Sequence, residues 1–157
     1  MKAKQRKFWV YAVSIAAALA VGGLSAVVNA GRFTSETLRQ PPLSPPPWLF
    51  PIVWTILFIL MGISAARVYR SGAPGAGDAL FLYAVQLLVN FLWTVFYFSF
   101  GAYLLAFIWL LFLLLLVALM LARFERAAPS AGKLQLPYAA WLLFAAYLNF
   151  GTWLLNH

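Results

Sequence analysis

Two amides and two aromatic residues recur at helical spacing in the segment "QLLVNFLWTVFY". Gln86, Asn90, Trp93 and Tyr97 stand at i, i+4, i+7 and i+11, which places all four on one face of a helix. Amides need hydrogen-bond partners in lipid, and indole and phenol rings combine an apolar body with a polar tip. The face therefore predicts hydrogen bonding between helices, or the wall of a cavity for a flat ligand, or both.

A second face of this kind occurs near the C-terminus. Pro137, Trp141, Ala145 and Asn149 follow one another at steps of four residues. Ala145 leaves a dent between Trp141 and Asn149 in which a ligand ring could lie, although small residues in membrane helices also serve helix packing. Such a wall would bind a rigid apolar ligand by stacking.

Groups for acid–base, thiol or metal chemistry are scarce. The chain has no Cys, its one His is the terminal His157, and its three acidic residues lie between apolar segments. The apolar segments therefore lack the usual general acids and bases and the ionisable residue that ion-driven carriers keep inside the membrane. Met61 and Met120 are interpreted as packing residues, and no metal site is predicted.

Five long apolar segments must position the two faces. Hydrophobic residues make up 65% of the 157 residues and charged residues 9%, whereas about a quarter of a soluble protein is charged. Each segment is close to the roughly 20 residues that cross a hydrocarbon core. We therefore predict an all-α integral membrane protein, a five-transmembrane-helix bundle in a single domain over residues 1–157, with spans at 8–28, 48–68, 79–100, 102–121 and 136–155.

The first span has a second interpretation. Its basic N-terminal flank, apolar run and "VNA" are typical of a secretory signal with cleavage after Ala30. The run is longer than a usual signal core, and Ser14, Ala18, Gly22 and Ala26 form a small-residue stripe that suits close packing against another helix. We therefore predict a retained span.

Basic residues set the predicted orientation. Nine Lys and Arg lie at the N-terminus, in the connection after span two and in the connection after span four. Arg67, at the end of span two, is counted with the connection that follows it. Only Arg32 and Arg39 lie on the other side. The positive-inside rule places the N-terminus in the cytoplasm and the C-terminus outside. The net charge of +8 thus predicts orientation in a lipid bilayer rather than nucleic-acid binding.

The connection before the second span, "PPLSPPPWLFPIVW", is dense in proline. Prolines fix φ and donate no hydrogen bond, so this segment predicts a stiff strap. Pro41, Pro45 and Pro46 would form a lid over the outer end of the bundle, with Trp48 anchored at the membrane interface. Trp54 would lie about 9 Å below the start of its helix, in the wall of an aromatic cavity about 10 Å deep.

These motifs resemble the TspO/MBR family of tryptophan-rich translocator proteins, also called peripheral-type benzodiazepine receptors. The resemblance covers nearly the whole chain and rests on "LRQPPLSPPPWLFPIVW", "QLLVNFLW" and "LPYAAWLLFAAYLN". It implies a five-helix bundle in a bacterial cell membrane, commonly a homodimer, that binds tetrapyrroles such as protoporphyrin IX and requires no cofactor. Gln40 and Leu43 depart from the usual Lys and aromatic residue, which weakens the expectation for the lid.

The resemblance and the two faces together define the candidate site. Trp54 and Trp141 match tryptophans linked in some members to light-dependent porphyrin breakdown, so they would be the catalytic residues of such a reaction. The candidate ligand-binding residues are Trp54, Phe58, Gln86, Asn90, Trp93, Tyr97, Trp141, Ala145 and Asn149.

The sequence favours a membrane receptor or sensor for porphyrin-type and other flat hydrophobic ligands. Three alternatives stay open: a transporter of such ligands, a light-dependent porphyrin-degrading enzyme, and a scaffold whose dimer organises partners. The sterol-recognition pattern is incomplete because no basic residue follows Phe150, so sterol binding is not predicted.

Overall fold

The structure, a computed structural model, describes residues 3–32 and 37–157. Regular structure within these ranges is entirely helical. Five helical stretches are long and apolar enough to span a membrane, which confirms the predicted all-α, five-span fold. The elements are α1 (Ala3–Val28), α2 (Leu49–Ser71), α3 (Ala76–Thr94) with a π-helical continuation (Val95–Ser99), α4 (Tyr103–Ala127), α5 (Pro129–Leu134) and α6 (Leu136–Asn156).

Several helices are longer than the predicted spans. Helix α1 begins at Ala3, α2 continues to Ser71 and α4 to Ala127, so Arg70 and Arg126 lie in the last turns of α2 and α4. Long basic side chains tolerate this position because their stems cover apolar surface while their charge reaches water. Cations near a helix C-terminus are also favourable. These helices therefore continue beyond the predicted span ends at residues 68 and 121.

Helix α5 occupies what we predicted to be a connection. Pro129 lies in its first turn, where the missing N–H would have had no partner. Ser64 of α2 donates its hydroxyl to the Ala131 carbonyl at 2.7 Å. At Gly132 an added Cβ would lie 2.9 Å from the Cβ of Glu125 in α4. These small residues let α5 pack between α2 and α4.

The two ends of the bundle differ in charge. The basic end carries the N-terminus of α1 and the C-termini of α2 and α4 together with α5, and its cations in the described ranges are Lys4, Arg6, Lys7, Arg67, Arg70, Arg123, Arg126 and Lys133. The opposite end, which we call the proline end, carries the proline-rich connection and the C-terminus. Helices α3 and α6 both run from the basic end to the proline end and are therefore parallel.

Helix α1 packs against α2 through the predicted stripe of small residues. An added Cβ at Gly62 of α2 would lie 2.5 Å from the Ile15 Cα and 2.9 Å from the Ser14 carbonyl oxygen. Ala18 is fully buried, and an added Cβ at Gly22 would meet an aromatic ring of α2 at 2.6 Å. The stripe is therefore a packing surface within one protomer.

A π-helical segment ends the third span and leads directly into α4. The Phe100 N–H bonds the Val95 carbonyl at 3.1 Å, five residues back. Gly101 follows with φ 60°, a conformation that glycine adopts without steric cost. The chain therefore reverses at once, and α3 and α4 pack as the predicted antiparallel pair. Tyr97 lies within this segment.

The strap, residues 37–48, is fastened to α6. The Arg39 N–H donates to Oδ1 of Asn156 at 2.9 Å, and Nδ2 of Asn156 donates to the Arg39 carbonyl at 2.9 Å. Tyr147 donates its hydroxyl to the Pro42 carbonyl at 2.8 Å. The strap therefore follows the last turns of α6 before α2 begins.

We expect Gly151→Ala to loosen the strap. An added Cβ at Gly151 would lie 2.6 Å from the Pro41 Cβ, and the stiff proline ring cannot rotate away. Overpacking of this kind costs about 1–3 kcal/mol. Trypsin should therefore cleave after Arg39 faster in the variant. The matched control is Gly77→Ala, because nothing lies within 4 Å of its Cβ position; equal cleavage in both variants would contradict the fastened strap.

Candidate ligand-binding site

Trp54 lies in a ring cluster inside the bundle. Its centroid is 5.6 Å from the ring of Phe58, 6.0 Å from Trp93 and 6.2 Å from Tyr138. These spacings fall within the range of about 4.5–7 Å at which aromatic pairs attract. Trp93 is 7% exposed and Tyr138 is 1% exposed. The cluster thus joins α2, α3 and α6 and is filled by its own rings.

The two amides of α3 pair with a tyrosine of α6. Tyr138 donates its hydroxyl to Oε1 of Gln86 at 2.8 Å and accepts a hydrogen bond from Nδ2 of Asn90 at 3.0 Å. All three residues are buried. Because lipid offers no hydrogen-bond partner, these bonds hold α3 and α6 together in the interior. The predicted hydrogen bonding between helices on this face is confirmed.

Further bonds follow toward the proline end. Trp93 donates its indole N–H to Oδ1 of Asn149 at 2.9 Å, and Nδ2 of Asn149 donates to the Tyr103 carbonyl at 2.8 Å. Tyr97 donates its hydroxyl to Oγ1 of Thr152 at 3.2 Å. Asn149 therefore connects α6 to both α3 and α4 and fixes the orientation of the Trp93 indole.

An open apolar groove lies between α2 and α6. Its volume is about 470 Å³, within the range of roughly 300–1,000 Å³ typical of small-molecule sites. The only polar side-chain atom among its lining residues is the Trp141 indole nitrogen, so the groove suits a flat hydrophobic ligand. The lining residues are Val53, Ile56, Leu57, Leu60, Pro137, Ala140, Trp141 and Phe144.

Trp141 belongs to a row of rings that we call the aromatic edge: Phe50, Trp141, Phe144 and Tyr147. The Trp141 ring lies 5.9 Å from Phe50 and 5.5 Å from Phe144, and Phe144 lies 6.3 Å from Tyr147. Because Tyr147 also bonds the strap, the aromatic edge leads from the strap into the groove. The buried Trp141 Nε1 has no hydrogen-bond partner in the part of the chain that the structure describes.

The three candidate tryptophans do not enclose a single hollow. Trp54 and Trp93 are in ring contact within the bundle, whereas Trp141 lines the groove. Consecutive residues on a helix point about 100° apart, so Val53 of α2 faces the groove while Trp54 faces the interior. A packed cluster beside an open groove therefore replaces the single cavity that we expected.

Among the predicted ligand-binding residues, Trp141 lines the groove and the others pack inside the bundle. Ala145 is 7% exposed and lies on α6 between Trp141 and Asn149, as expected. The sequence analysis missed Tyr138, although it stands three residues before Trp141 and a buried tyrosine needs a polar partner. It also missed the apolar lining residues, which look like any other residues of a membrane span.

The predicted lid residues make different contacts. Pro41 is buried, Pro45 is half-buried and Pro46 is exposed. The Pro46 carbonyl accepts from the Leu49 N–H at 3.0 Å as α2 begins. Trp48 is 65% exposed, which suits an anchor at the membrane interface. A lid function over a bound ligand stays a prediction.

Apolar helices, an interior closed by rings and amides, and a groove open to one flank together define an integral multi-pass membrane protein. The family model described as "TspO/MBR family" matches residues 11–154, which include all the candidate residues of the cluster and the groove. The chain belongs to the TspO/MBR family.

The matches to curated relatives cover most of this chain and most of each relative. "Tryptophan-rich protein TspO" of Chlorobaculum tepidum is 36% identical over 149 residues, 92% of this chain and 94% of the relative. "Tryptophan-rich sensory protein" of Cereibacter sphaeroides is 37% identical over 121 residues, 77% of this chain and 75% of the relative. "Translocator protein" of Bos taurus is 32% identical over 155 residues, 92% of this chain and 89% of the relative.

Proposed function

We propose that the protein is a membrane receptor or sensor for flat hydrophobic ligands, with protoporphyrin IX and related tetrapyrroles as the first candidates. The observation that carries the proposal is the apolar groove between α2 and α6, with a volume of about 470 Å³. The word "sensory" in the name of one relative supports this role. Another relative is named "Translocator protein", so an experiment must distinguish transport of the ligand from sensing.

The groove offers two unlike walls to such a ligand. On α6, the rings of Trp141 and Phe144 provide surfaces for stacking. On α2, Leu57 and Leu60 provide an aliphatic surface opposite. Ile56 is 53% exposed on the same flank, so a ligand dissolved in the bilayer enters the groove sideways. An acceptor atom on the ligand would accept a hydrogen bond from the unpartnered Trp141 N–H.

We further propose that the basic end faces the cytoplasm and that the protein forms a homodimer. The excess of Lys and Arg at the basic end supports the orientation. Reporter fusions at the C-terminus should therefore be active only when the reporter works outside the cytoplasm. Chemical crosslinking in native membranes should trap a species of twice the monomer mass, and its absence would count against the dimer.

Binding of protoporphyrin IX tests the groove directly. We expect Trp141→Ala to raise the Kd at least about tenfold, because losing one stacked ring and its apolar contact removes roughly 1.4 kcal/mol or more. Ala140→Trp should also weaken binding, because the new side chain fills the groove. Kd is measured from the saturable quenching of protein fluorescence in lipid nanodiscs.

A matched variant separates the groove from the rest of α6. Leu143 lines a different cleft, between α4 and α6, and is 64% exposed, so Leu143→Trp adds the same ring one helix face away. Binding should survive Leu143→Trp and fail in Ala140→Trp. Equal affinity in both variants would rule out the groove as the site, and ligand flux across liposomes that follows a gradient would favour transport over sensing.

A further inference from the structure

Four buried polar atoms in the half of the bundle nearer the basic end have no hydrogen-bond partner among residues 3–32 and 37–157. They are the Tyr83 hydroxyl, Nε2 of Gln86, and both Nε2 and Oε1 of Gln135. Gln86 and Gln135 are each 0% exposed. In the hydrocarbon region an unsatisfied polar group costs several kcal/mol. This concentration of unsatisfied groups indicates a bound polar ligand.

Because α3 and α6 run parallel, these atoms lie at about the same depth along the bundle. The hydrogen bond from Tyr138 to Gln86 fixes the register of the two helices. Gln135 precedes Tyr138 by three residues and Tyr83 precedes Gln86 by three, so both side chains stand about 4.5 Å nearer the basic end on matching faces.

The chemistry of the four atoms defines the ligand. All belong to neutral groups, so the site offers no counter-charge to an ion. The amide nitrogens donate, the Gln135 oxygen accepts, and the Tyr83 hydroxyl can do both. A small neutral molecule that both donates and accepts matches this set. Such a molecule requires two to four polar partners in a buried site, and these atoms supply them.

We propose that Tyr83, Gln86 and Gln135 form a binding site for ordered water between α3 and α6. The water donates to Oε1 of Gln135 and accepts from the amide N–H groups or from the Tyr83 hydroxyl. Aromatic packing closes the site on one side, where the Tyr83 ring lies 5.9 Å from Phe124 of α4. The site is separate from the α2–α6 groove and does not depend on the proposed ligand.

The bound water has a structural consequence for the ring cluster. Gln86 uses its oxygen to accept from Tyr138, and water on its Nε2 would hold the amide in that orientation. Tyr138 in turn packs 6.2 Å from Trp54. The hydrated site therefore positions the Tyr138 and Trp54 rings through Gln86.

Radiolytic hydroxyl-radical footprinting of the intact protein in nanodiscs tests the proposal. Radicals form from water, so a buried side chain is labelled only if water lies beside it. Tyr138 is 1% exposed and Met120 is 0% exposed, and methionine is itself readily oxidised. We expect labelling of Tyr83 and Tyr138 severalfold faster than that of Met120. Labelling of both tyrosines as slow as that of Met120 would overturn the proposal.

Gln135→Leu provides the second measurement. If water binds there, the variant removes one wall of the site, so labelling of Tyr83 and Tyr138 falls toward the Met120 level and the melting temperature decreases. If the site is dry, the variant deletes two unsatisfied polar atoms and the melting temperature rises. A higher melting temperature, or unchanged labelling of both tyrosines, would contradict a shared water site.

Discussion

Gly62→Val should lower the free energy of unfolding by about 3 kcal/mol, at the upper end of the range for overpacked cores. Even the first added carbon would lie 2.5 Å from the Cα of Ile15 and 2.8 Å from its backbone nitrogen. The obstruction is backbone rather than a flexible side-chain tip, so α1 itself must move away from α2. Unfolding in mixed micelles by sodium dodecyl sulfate, followed by circular dichroism, measures the change.

The matched control for Gly62 lies on the partner helix. Gly23 of α1 is helical and exposed, and no atom of the described residues lies within 4 Å of its Cβ position. Gly23→Val therefore carries the same change in helix propensity without a clash. We expect it to stay within about 1 kcal/mol of the unmodified protein. Similar losses in the two variants would show that α1 does not dock at Gly62.

Tyr138→Phe should cost about 2–4 kcal/mol of folding free energy although it removes a single oxygen atom. The Tyr138 hydroxyl donates to Oε1 of Gln86 and accepts from Nδ2 of Asn90. Its removal leaves two buried amide atoms without that partner, at about 1–3 kcal/mol for each. The ring itself, and its contact with Trp54, are kept. The same micelle unfolding assay reports the loss.

Tyr69→Phe is the control for this loss of a hydroxyl. Tyr69 also lies on a membrane helix but is 61% exposed, so its substitution should change the unfolding free energy by less than about 0.5 kcal/mol. A loss in Tyr138→Phe no greater than that in Tyr69→Phe would mean that the amide pairs do not hold α3 to α6.

The five spans could be predicted because their signal is local. An apolar run of membrane-crossing length needs no knowledge of its neighbours. The helix ends were harder to predict, since Arg70 suits the start of a connection as well as the last turn of α2, where it lies. Helix α5 escaped prediction because it packs against α2 through the bond from Ser64 to Ala131, and these two residues are 67 positions apart in sequence.

The interior face of α3 was also visible in the sequence, because polar residues at helical spacing stand out in an apolar span. Bonding of Gln86 and Asn90 to another helix followed from that face, but the partner helix, α6, and the partner residue, Tyr138, did not. The sequence contained no comparable signal for the groove. Val53 and Leu57 face it only because of how α2 is rotated relative to α6, and tertiary packing sets that rotation.

The proline-rich strap shows the same division between local and long-range information. Its stiffness follows from proline itself. Its course along α6 depends on the bonds between Arg39 and Asn156, which are 117 residues apart, and on the absence of a side chain at Gly151. The prolines therefore predicted a stiff strap, but they gave no sign that it bonds to α6.

Photo-crosslinking with a diazirine derivative of protoporphyrin IX in nanodiscs tests most directly whether the groove between α2 and α6 is the ligand site. Mass spectrometry of the labelled protein should place the adduct in residues 53–60 of α2 or 137–144 of α6, and excess unlabelled protoporphyrin should abolish it. An adduct confined to residues 114–121 of α4, or labelling that free ligand does not displace, would contradict the account.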